Sequence, residues 1–296
     1  MSRLVTVAAT QMACDWDING NVDRAEKIIH EGASSGAQII LIQELFEAPY
    51  FCIEQDPKHH KLASTVEDNT TIKRFCDLAE HLQVVIPVSW FERSGNVFFN
   101  SVAMINADGA VMGVYRKTHI PNDVGYQEKQ YFSPGDTGFR VWDTRYAKVG
   151  VGICWDQWFP ESARCMALMG AEILMYPTAI GSELSMEHDS APHWQTVMRG
   201  HAAANIMPLV ASNRIGKEVA TNSEDSIVFY GCSFISDHMG QKVEEANRTD
   251  ESVIVHTFDL DAIQEHRERW CLFRDRRPEH YGPIMTLDGK VKVSYR

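Results

Sequence analysis

Three reactive side chains stand at the ends of apolar, strand-like segments, and one of them is a cysteine. Cys154 ends the run 149–153 and is followed by Pro160, a residue favoured at the first position of a helix. A thiol at such a strand-to-helix turn lies near the positive end of a helix dipole, which lowers a cysteine pKa and favours the nucleophilic thiolate. The alternative for a single cysteine is a buried structural thiol.

Two charged residues stand in comparable places. Glu44 follows the apolar run 38–42, and Lys117 ends a strand-like segment before the loop that contains Pro121. Either side chain could simply be exposed at a strand end. If Glu44 is buried instead, we expect its pKa to rise towards neutrality, which suits a general base. A base, a cation and a thiol at the ends of three buried strands would form a coherent site for nucleophilic catalysis.

Fingerprints of common cofactors are absent from the sequence. Gly216-Lys217 lacks the upstream glycine and the hydroxyl residue of a phosphate-binding loop, and the run after Gly152 lacks the third glycine of a dinucleotide-binding turn. The seven cysteines are scattered without a C-x-x-C pair, which argues against a disulfide framework and against structural zinc. We therefore expect no metal, no cofactor and a reducing, cytoplasmic compartment.

The composition limits the classes of partner. The chain of 296 residues carries 28 basic and 40 acidic residues, a net charge of -12, and its 44% hydrophobic content is that of a soluble globular protein. This charge disfavours nucleic-acid binding and suits a cationic substrate. No apolar stretch approaches the roughly 18 residues of a membrane span, and the N-terminus lacks the apolar core of a signal peptide. We expect neither nucleic acid nor membrane as a partner.

The elements that must position these side chains alternate between strand and helix. The periodicity predicts strands over residues 4–9, 38–42, 84–90, 100–105, 110–115, 148–153, 173–176, 209–212, 227–235, 242–245 and 253–258. A hairpin turn is predicted at 106–109, between the fourth and fifth of these strands. Helical spacing falls between them, around Ile29 and Phe75 and over 160–169, 193–206 and 261–270. Two similar halves without a linker predict a single α/β domain over 1–296, a four-layer αββα sandwich with pseudo-twofold symmetry.

The sequence resembles the carbon–nitrogen hydrolase family, also called the nitrilase superfamily, over essentially the whole chain. The matching blocks are QELFEAPYFC (43–52), GYQEK (125–129), SPGDTGF (133–139), ICWDQWFPE (153–161), YPTAIGSE (176–183), ASNRIGKE (211–218) and FRDRRP (273–278). The resemblance implies that Cys154 attacks a carbonyl carbon and that Glu44 is the general base. Lys117 and the backbone N–H of Trp155 would then stabilise the oxyanion.

The resemblance also implies a second glutamate, Glu128, which would orient the substrate amide or assist proton transfer. The alternative for Glu128 is an ion pair that steadies its loop. The matching blocks are most similar to family members that act on a carbamoylated diamine. They therefore imply hydrolysis of a cationic carbamoyl amine to an amine, carbon dioxide and ammonia.

A cationic tail needs a partner, since burying an ammonium unpaired is expensive. We expect Glu183 to receive it, with Glu187 and Asp189 as alternatives, although the segment 184–189 departs from the family pattern. Tyr50 and Trp155 would wall the alkyl chain, unless they are plain core residues.

Other interpretations remain open. A relative that acts on a carbamoyl amino acid would need an arginine where this chain offers Glu183. From a different class, the chain could be a catalytically silent binding or scaffold protein. Arginines between 267 and 277 alternate with acidic residues, so we expect the segment 261–296 to extend a subunit interface of a homo-oligomer.

Overall fold

Two β-sheets form the centre of the computed structural model, which describes residues 2–182 and 189–290. The first sheet is built from β1 (Leu4–Gln11), β2 (Ile39–Leu41), β3 (Ile86–Ser94), β4 (Val97–Ile105), β5 (Val111–Arg116) and β14 (Ser252–Asp259). Its strand order is β14-β1-β2, and a parallel bridge between Ile39 and Val85 continues it into β3-β4-β5. The predicted hairpin at 106–109 joins β4 to β5 and is confirmed.

The second sheet repeats this arrangement. It is built from β6 (Val141–Asp143), β7 (Lys148–Val151), β8 (Ile173–Pro177), β9 (Leu209–Ser212), β12 (Phe234–Ser236) and β13 (Lys242–Glu245), in the order β13-β12-β9-β8-β7-β6. Strands β7, β8 and β9 are parallel, as β1, β2 and β3 are, and each trio is flanked by antiparallel strands. The repeat gives the two halves their pseudo-twofold relation.

Helices α1 (Ile18–Ser34), α2 (Thr70–Leu82), α3 (Pro160–Leu168) and α4 (Ala191–Asn205) cover the outer faces of the sheets. Helix α5 (Leu260–Trp270) follows β14 and packs Leu260 and Ile263 at the rim of the space between the sheets. Apolar residues of α1 and α2 pack on the first sheet, and those of α3 and α4 on the second. A third cluster, which includes Val7, Val102, Val149 and Met175, fills the space between the sheets. This is the predicted αββα sandwich. None of the helices in the described ranges combines the length and apolar character that a membrane span requires.

One predicted strand is wrong. The run 227–235 is not continuous, because it divides into β11 (Ser226–Tyr230) and β12, which belong to different sheets. Gly231 and Cys232 both take φ +56° between them, which no β-strand tolerates. Strand β11 pairs instead with β10 (Ile215–Val219) in a separate hairpin that the periodicity missed, as it missed the short β6.

Gly135 allows a loop to lie directly against the end of β5. A Cβ on Gly135 would lie 2.0 Å from the carbonyl oxygen of Arg116, and the Gly135 N–H donates to the carbonyl of Lys117 at 2.8 Å. We predict that Gly135→Ala lowers the free energy of unfolding by about 1–3 kcal/mol, because the two backbones must separate. Urea denaturation measures this change.

The matched control is Gly200→Ala. Gly200 is exposed within α4, and a Cβ there would meet no atom of the described residues within 4 Å. We expect this substitution to raise the free energy of unfolding by about 0.5–1 kcal/mol through helix propensity. Equal effects of the two substitutions would contradict the close approach at Gly135.

Candidate active site

A buried cluster of three charges joins the two residues that the sequence placed at strand ends. Glu44 lies beyond β2, Lys117 directly follows β5, and Glu128 opens the short 3-10 turn Glu128–Gln130; all three are fully buried. The Lys117 Nζ donates to Glu44 Oε1 at 2.8 Å and to both carboxylate oxygens of Glu128, at 2.8 and 2.7 Å. Charge-assisted hydrogen bonds of this length offset the cost of burying the ions.

The balance of charge in the cluster decides its protonation. Burial raises the pKa of Glu128 to about 7, against the attraction of Lys117 and with the repulsion of Glu44. Burial alone would lower the pKa of Lys117, but the carboxylates of Glu128 and Glu44 hold it well above its usual value. Lys117 is therefore an ammonium, and Glu128 is a carboxyl group that takes up a proton near neutral pH.

Cys154 occupies a strained turn between β7 and α3. It opens the 3-10 helix Cys154–Trp158 with φ +40°, a left-handed conformation that is unfavourable for a residue other than glycine and that clusters at functional sites. Its side chain is buried, and its Sγ lies 3.8 Å from the carbonyl oxygen of Ala179. The N–H of Trp155 belongs to the first turn of this short helix, where backbone N–H groups have no partner within the helix.

The expected lowering of the Cys154 pKa is wrong. Burial raises the pKa of this thiol well above its ordinary value, the charge of Glu44 raises it further, and the attraction of Lys117 does not compensate. The longer helix α3 begins only at Pro160, so its dipole is too distant to dominate. At neutral pH the thiol is protonated, and it needs an adjacent base to become a nucleophile.

Asp156 fastens the cysteine turn to the segment that carries the lysine, a role that the sequence did not reveal. Its fully buried carboxylate accepts the Ile153 N–H at 2.9 Å and the Tyr115 hydroxyl at 2.7 Å on Oδ2. On Oδ1 it accepts the His119 N–H at 3.0 Å, and His119 Nδ1 lies 2.7 Å away. The available signal was a carboxylate placed among aromatic residues two positions after the cysteine.

Arg214 fixes the turn that carries Glu44 through hydrogen bonds to its backbone. Its fully buried guanidinium donates to the carbonyl oxygens of Glu44 and Ala48 at 3.0 Å and also to that of Leu45. The Glu218 carboxylate accepts from Arg214 at 2.9 Å, which pairs the buried charge. In the sequence this arginine stands out only as part of a matching block. Its role was missed because its acceptors lie about 170 residues earlier in the chain.

The residues expected to contact the substrate divide into three groups. Tyr50 is buried, and its hydroxyl donates to Glu128 Oε1 at 2.6 Å, so it holds that carboxyl group. Trp155 is 38% exposed beside the cysteine. Glu183 and Glu187 lie outside the described residues, and Asp189 already pairs with Arg248 at 2.6 Å. Within the described ranges, no cluster of three His, Cys, Asp or Glu residues could hold a metal ion.

Comparison with known proteins agrees with this geometry. The family model described as carbon–nitrogen hydrolase matches residues 6–268, and the chain belongs to that family. A solved structure of a carbon–nitrogen hydrolase from Helicobacter pylori G27 superimposes with a TM-score of 0.91 at 35% identity, covering 96% of this chain and 99% of that one. The predicted family, the fold class and the enzyme class of an amidohydrolase are confirmed.

Two relatives are similar over nearly their whole length. The N-carbamoylputrescine amidase of Solanum lycopersicum is 55% identical over 295 residues, which are 99% of this chain and 98% of the relative. The citrullinase of Francisella tularensis is 52% identical over 282 residues, which are 95% of this chain and 98% of the relative.

The contacts of Asp156 generate a prediction about stability. Asp156→Asn removes the charge and turns one acceptor into a donor, so at least one of the buried N–H or O–H groups that Asp156 now serves loses its partner. We expect the free energy of unfolding to fall by about 2–4 kcal/mol. Chemical denaturation monitored by tryptophan fluorescence measures the loss.

Asp143→Asn is the control, since Asp143 is exposed on β6 and the same change of chemistry there should stay within about 0.5 kcal/mol. A small effect at Asp156 would show that the turn does not depend on its carboxylate.

Proposed function

We propose that this protein hydrolyses N-carbamoylputrescine to putrescine, carbon dioxide and ammonia, through a covalent intermediate on Cys154, in putrescine synthesis from agmatine. The observation that carries the proposal is the buried contact of Glu44 with Lys117, in a cluster whose charges also act on the buried, strained Cys154. It occurs in a chain that is 55% identical to a relative named for this reaction.

In the first half of the proposed reaction, Glu44 accepts the thiol proton as Sγ attacks the carbamoyl carbon. The carbonyl oxygen becomes an oxyanion, which the Lys117 ammonium and the N–H of Trp155 stabilise. A donor of this kind is worth about 10² to 10³ in rate. A C–N bond then breaks, and the departing nitrogen takes the proton from Glu44, which leaves an acyl group on sulfur.

In the second half, water replaces the departed nitrogen. Glu44 accepts a proton from the water as its oxygen attacks the acyl carbon, and the same oxyanion donors act again. The C–S bond breaks, the sulfur recovers its proton, and the released carbamate loses carbon dioxide. Glu128, held by Lys117 and Tyr50, orients the substrate amide.

Cys154→Ala should abolish turnover, by at least about 10³-fold, because it removes the sulfur on which the proposed covalent intermediate forms. The fold should survive, since alanine removes one sulfur and buries no new polar atom. Ammonia release from N-carbamoylputrescine measures the loss, and circular dichroism checks the fold.

Cys165→Ala is the matched control. Cys165 lies on α3 and is exposed to solvent, so its replacement by alanine should leave turnover unchanged. Near-normal turnover by Cys154→Ala would refute the assignment of the nucleophile.

Citrulline is the second candidate substrate, because a citrullinase is 52% identical to this chain. Citrulline has the same ureido group as N-carbamoylputrescine and adds a carboxylate beside the tail ammonium. The net charge of -12 and the acidic Glu183 favour the substrate without that carboxylate.

We therefore predict that kcat/KM for N-carbamoylputrescine exceeds that for citrulline and for N-carbamoyl-β-alanine by about 30-fold or more. Glu183→Gln should lower kcat/KM for N-carbamoylputrescine by about 30-fold, because the ammonium loses its partner, and should spare N-pentylurea, whose tail is neutral. Ammonia release from each substrate gives these ratios.

A higher kcat/KM for citrulline would make this chain a citrullinase. Equal losses of Glu183→Gln on the charged and the neutral tail would assign Glu183 to structure.

We also propose a cytoplasmic homo-oligomer of single-domain subunits, with the segment 261–296 at a subunit interface. Exposed apolar side chains in the described part of that segment support this assignment. Trp270 is 63% exposed and Met285 is 83% exposed.

A further inference from the structure

Asn100 couples the base and the cation of the site through one residue. It lies in β4 and is fully buried. Its side-chain Nδ2 donates to Glu44 Oε1 at 2.7 Å, and its backbone carbonyl accepts the N–H of Lys117 at 2.8 Å. A change at this position therefore acts on Glu44 directly.

The two oxygens of the Glu44 carboxylate have different surroundings. Oε1 accepts from Lys117 Nζ at 2.8 Å and from Asn100 Nδ2 at 2.7 Å. Oε2 is buried and has no hydrogen-bond partner within the described part of the chain. Two donors on Oε1 hold its lone pairs, and this leaves Oε2 as the oxygen that is free to bind a proton.

Stability alone does not explain an asparagine here. The Oδ1 of Asn100 is also buried without a partner among the described residues. A buried polar atom left unpaired costs free energy, and an apolar side chain of the same size would avoid that cost. The one hydrogen bond that this side chain makes within the described residues is the bond to Glu44.

Resting on the proposed function, we infer that Asn100 is a positioning residue that occupies Oε1 of Glu44 and reserves Oε2 for the proton of Cys154. The S–H bond breaks, the proton moves to Oε2, and the electron pair left on sulfur forms the bond to the carbamoyl carbon. Oε2 then delivers the proton to the departing nitrogen.

The other groups that interact electrostatically with Glu44 are charged or titratable, so they also influence the pH dependence of the reaction. They are Lys117, Glu128, Cys154, Cys52, Tyr50 and Arg214. Asn100, in contrast, is a non-titratable side chain that donates directly to the Glu44 carboxylate. Its replacement therefore alters the hydrogen bonding of Glu44 without removing one of these groups.

The test compares Asn100→Leu and Asn100→Asp with the unmodified protein. Leucine removes the donor and keeps the branching and the number of side-chain heavy atoms, and aspartate replaces the amide with a second carboxylate. Both changes remove the hydrogen bond that Asn100 donates to the Glu44 carboxylate, and aspartate also places a like charge beside it. The acidic limb of the pH–rate profile should therefore move to higher pH, by about one unit for leucine and further for aspartate.

Two rates are measured across pH, so that the inference and the proposed function can fail separately. One is kcat/KM for N-carbamoylputrescine. The other is the rate at which iodoacetamide alkylates Cys154, followed by mass spectrometry, which needs the base but no substrate. On the acidic limb a shift of one unit means a tenfold lower rate at a given pH.

Asn205→Leu is the matched control. Asn205 is a buried asparagine of α4. Among the described residues its side chain makes one hydrogen bond, to the His201 carbonyl at 2.8 Å, and its Oδ1 has no partner. We expect it to leave both pH profiles in place. Circular dichroism at each pH verifies that all variants are folded, and Asn100→Asp, which keeps the shape of the side chain, covers the case in which Asn100→Leu fails to fold.

The inference is supported if the acidic limbs of both profiles lie at the highest pH in Asn100→Asp, at an intermediate pH in Asn100→Leu and at the lowest pH in the unmodified protein. An alkylation limb that stays in place in a folded Asn100 variant overturns it, even when turnover of N-carbamoylputrescine is normal. A shifted alkylation limb in a protein that does not hydrolyse N-carbamoylputrescine upholds Asn100 and refutes only the proposed substrate.

Discussion

The site depends on one buried interaction, an ammonium held between two carboxylates. The Lys117 Nζ lies within hydrogen-bond distance of one Glu44 oxygen and of both Glu128 oxygens, and none of the three side chains reaches solvent. Any of these charges would be prohibitively expensive to bury alone, and removal of one leaves the others uncompensated. Three separate chain segments must therefore meet within hydrogen-bond distance, and the ends of β2 and β5 in the first sheet deliver two of them.

Glu44, Lys117 and Cys154 lie on irregular backbone beyond the strand ends, which by itself would position their side chains poorly. Two buried charged side chains, those of Asp156 and Arg214, fix this backbone. The Asp156 carboxylate accepts the backbone N–H of Ile153, next to the cysteine, and that of His119, in the segment that carries the lysine. Arg214 binds three carbonyl groups of the turn that begins at Glu44. Backbone groups that leave a sheet have lost their strand partners and still require hydrogen bonds when buried. Buried charges supply these bonds and fix both turns.

The same burial determines how the thiol is activated. Cys154 lies in a closed, net-acidic surrounding that raises its pKa, so the resting group is a thiol rather than a thiolate. Oxidation proceeds from the thiolate, so a protonated cysteine is less exposed to damage between turnovers. The nucleophile is then generated at the moment of attack by a neighbouring base. The surrounding structure holds Cys154 at a φ of +40°, a strained conformation of the kind that clusters at functional sites.

Apolar periodicity is a local property, so most strands and helices, and the places of Glu44, Lys117 and Cys154 at strand ends, follow from the sequence. The short β6, the strand β10 and the break between β11 and β12 do not. The family also follows from the sequence, because matching blocks extend along the whole chain. The direction of the Cys154 pKa shift depends instead on the folded structure, since burial comes from segments far away in the chain. The roles of Asp156 and Arg214 depend on it too, because their partners lie 37 and about 170 residues away. Hydrogen bonds across such separations leave no periodic trace in a sequence, so folding alone brings their donors and acceptors together.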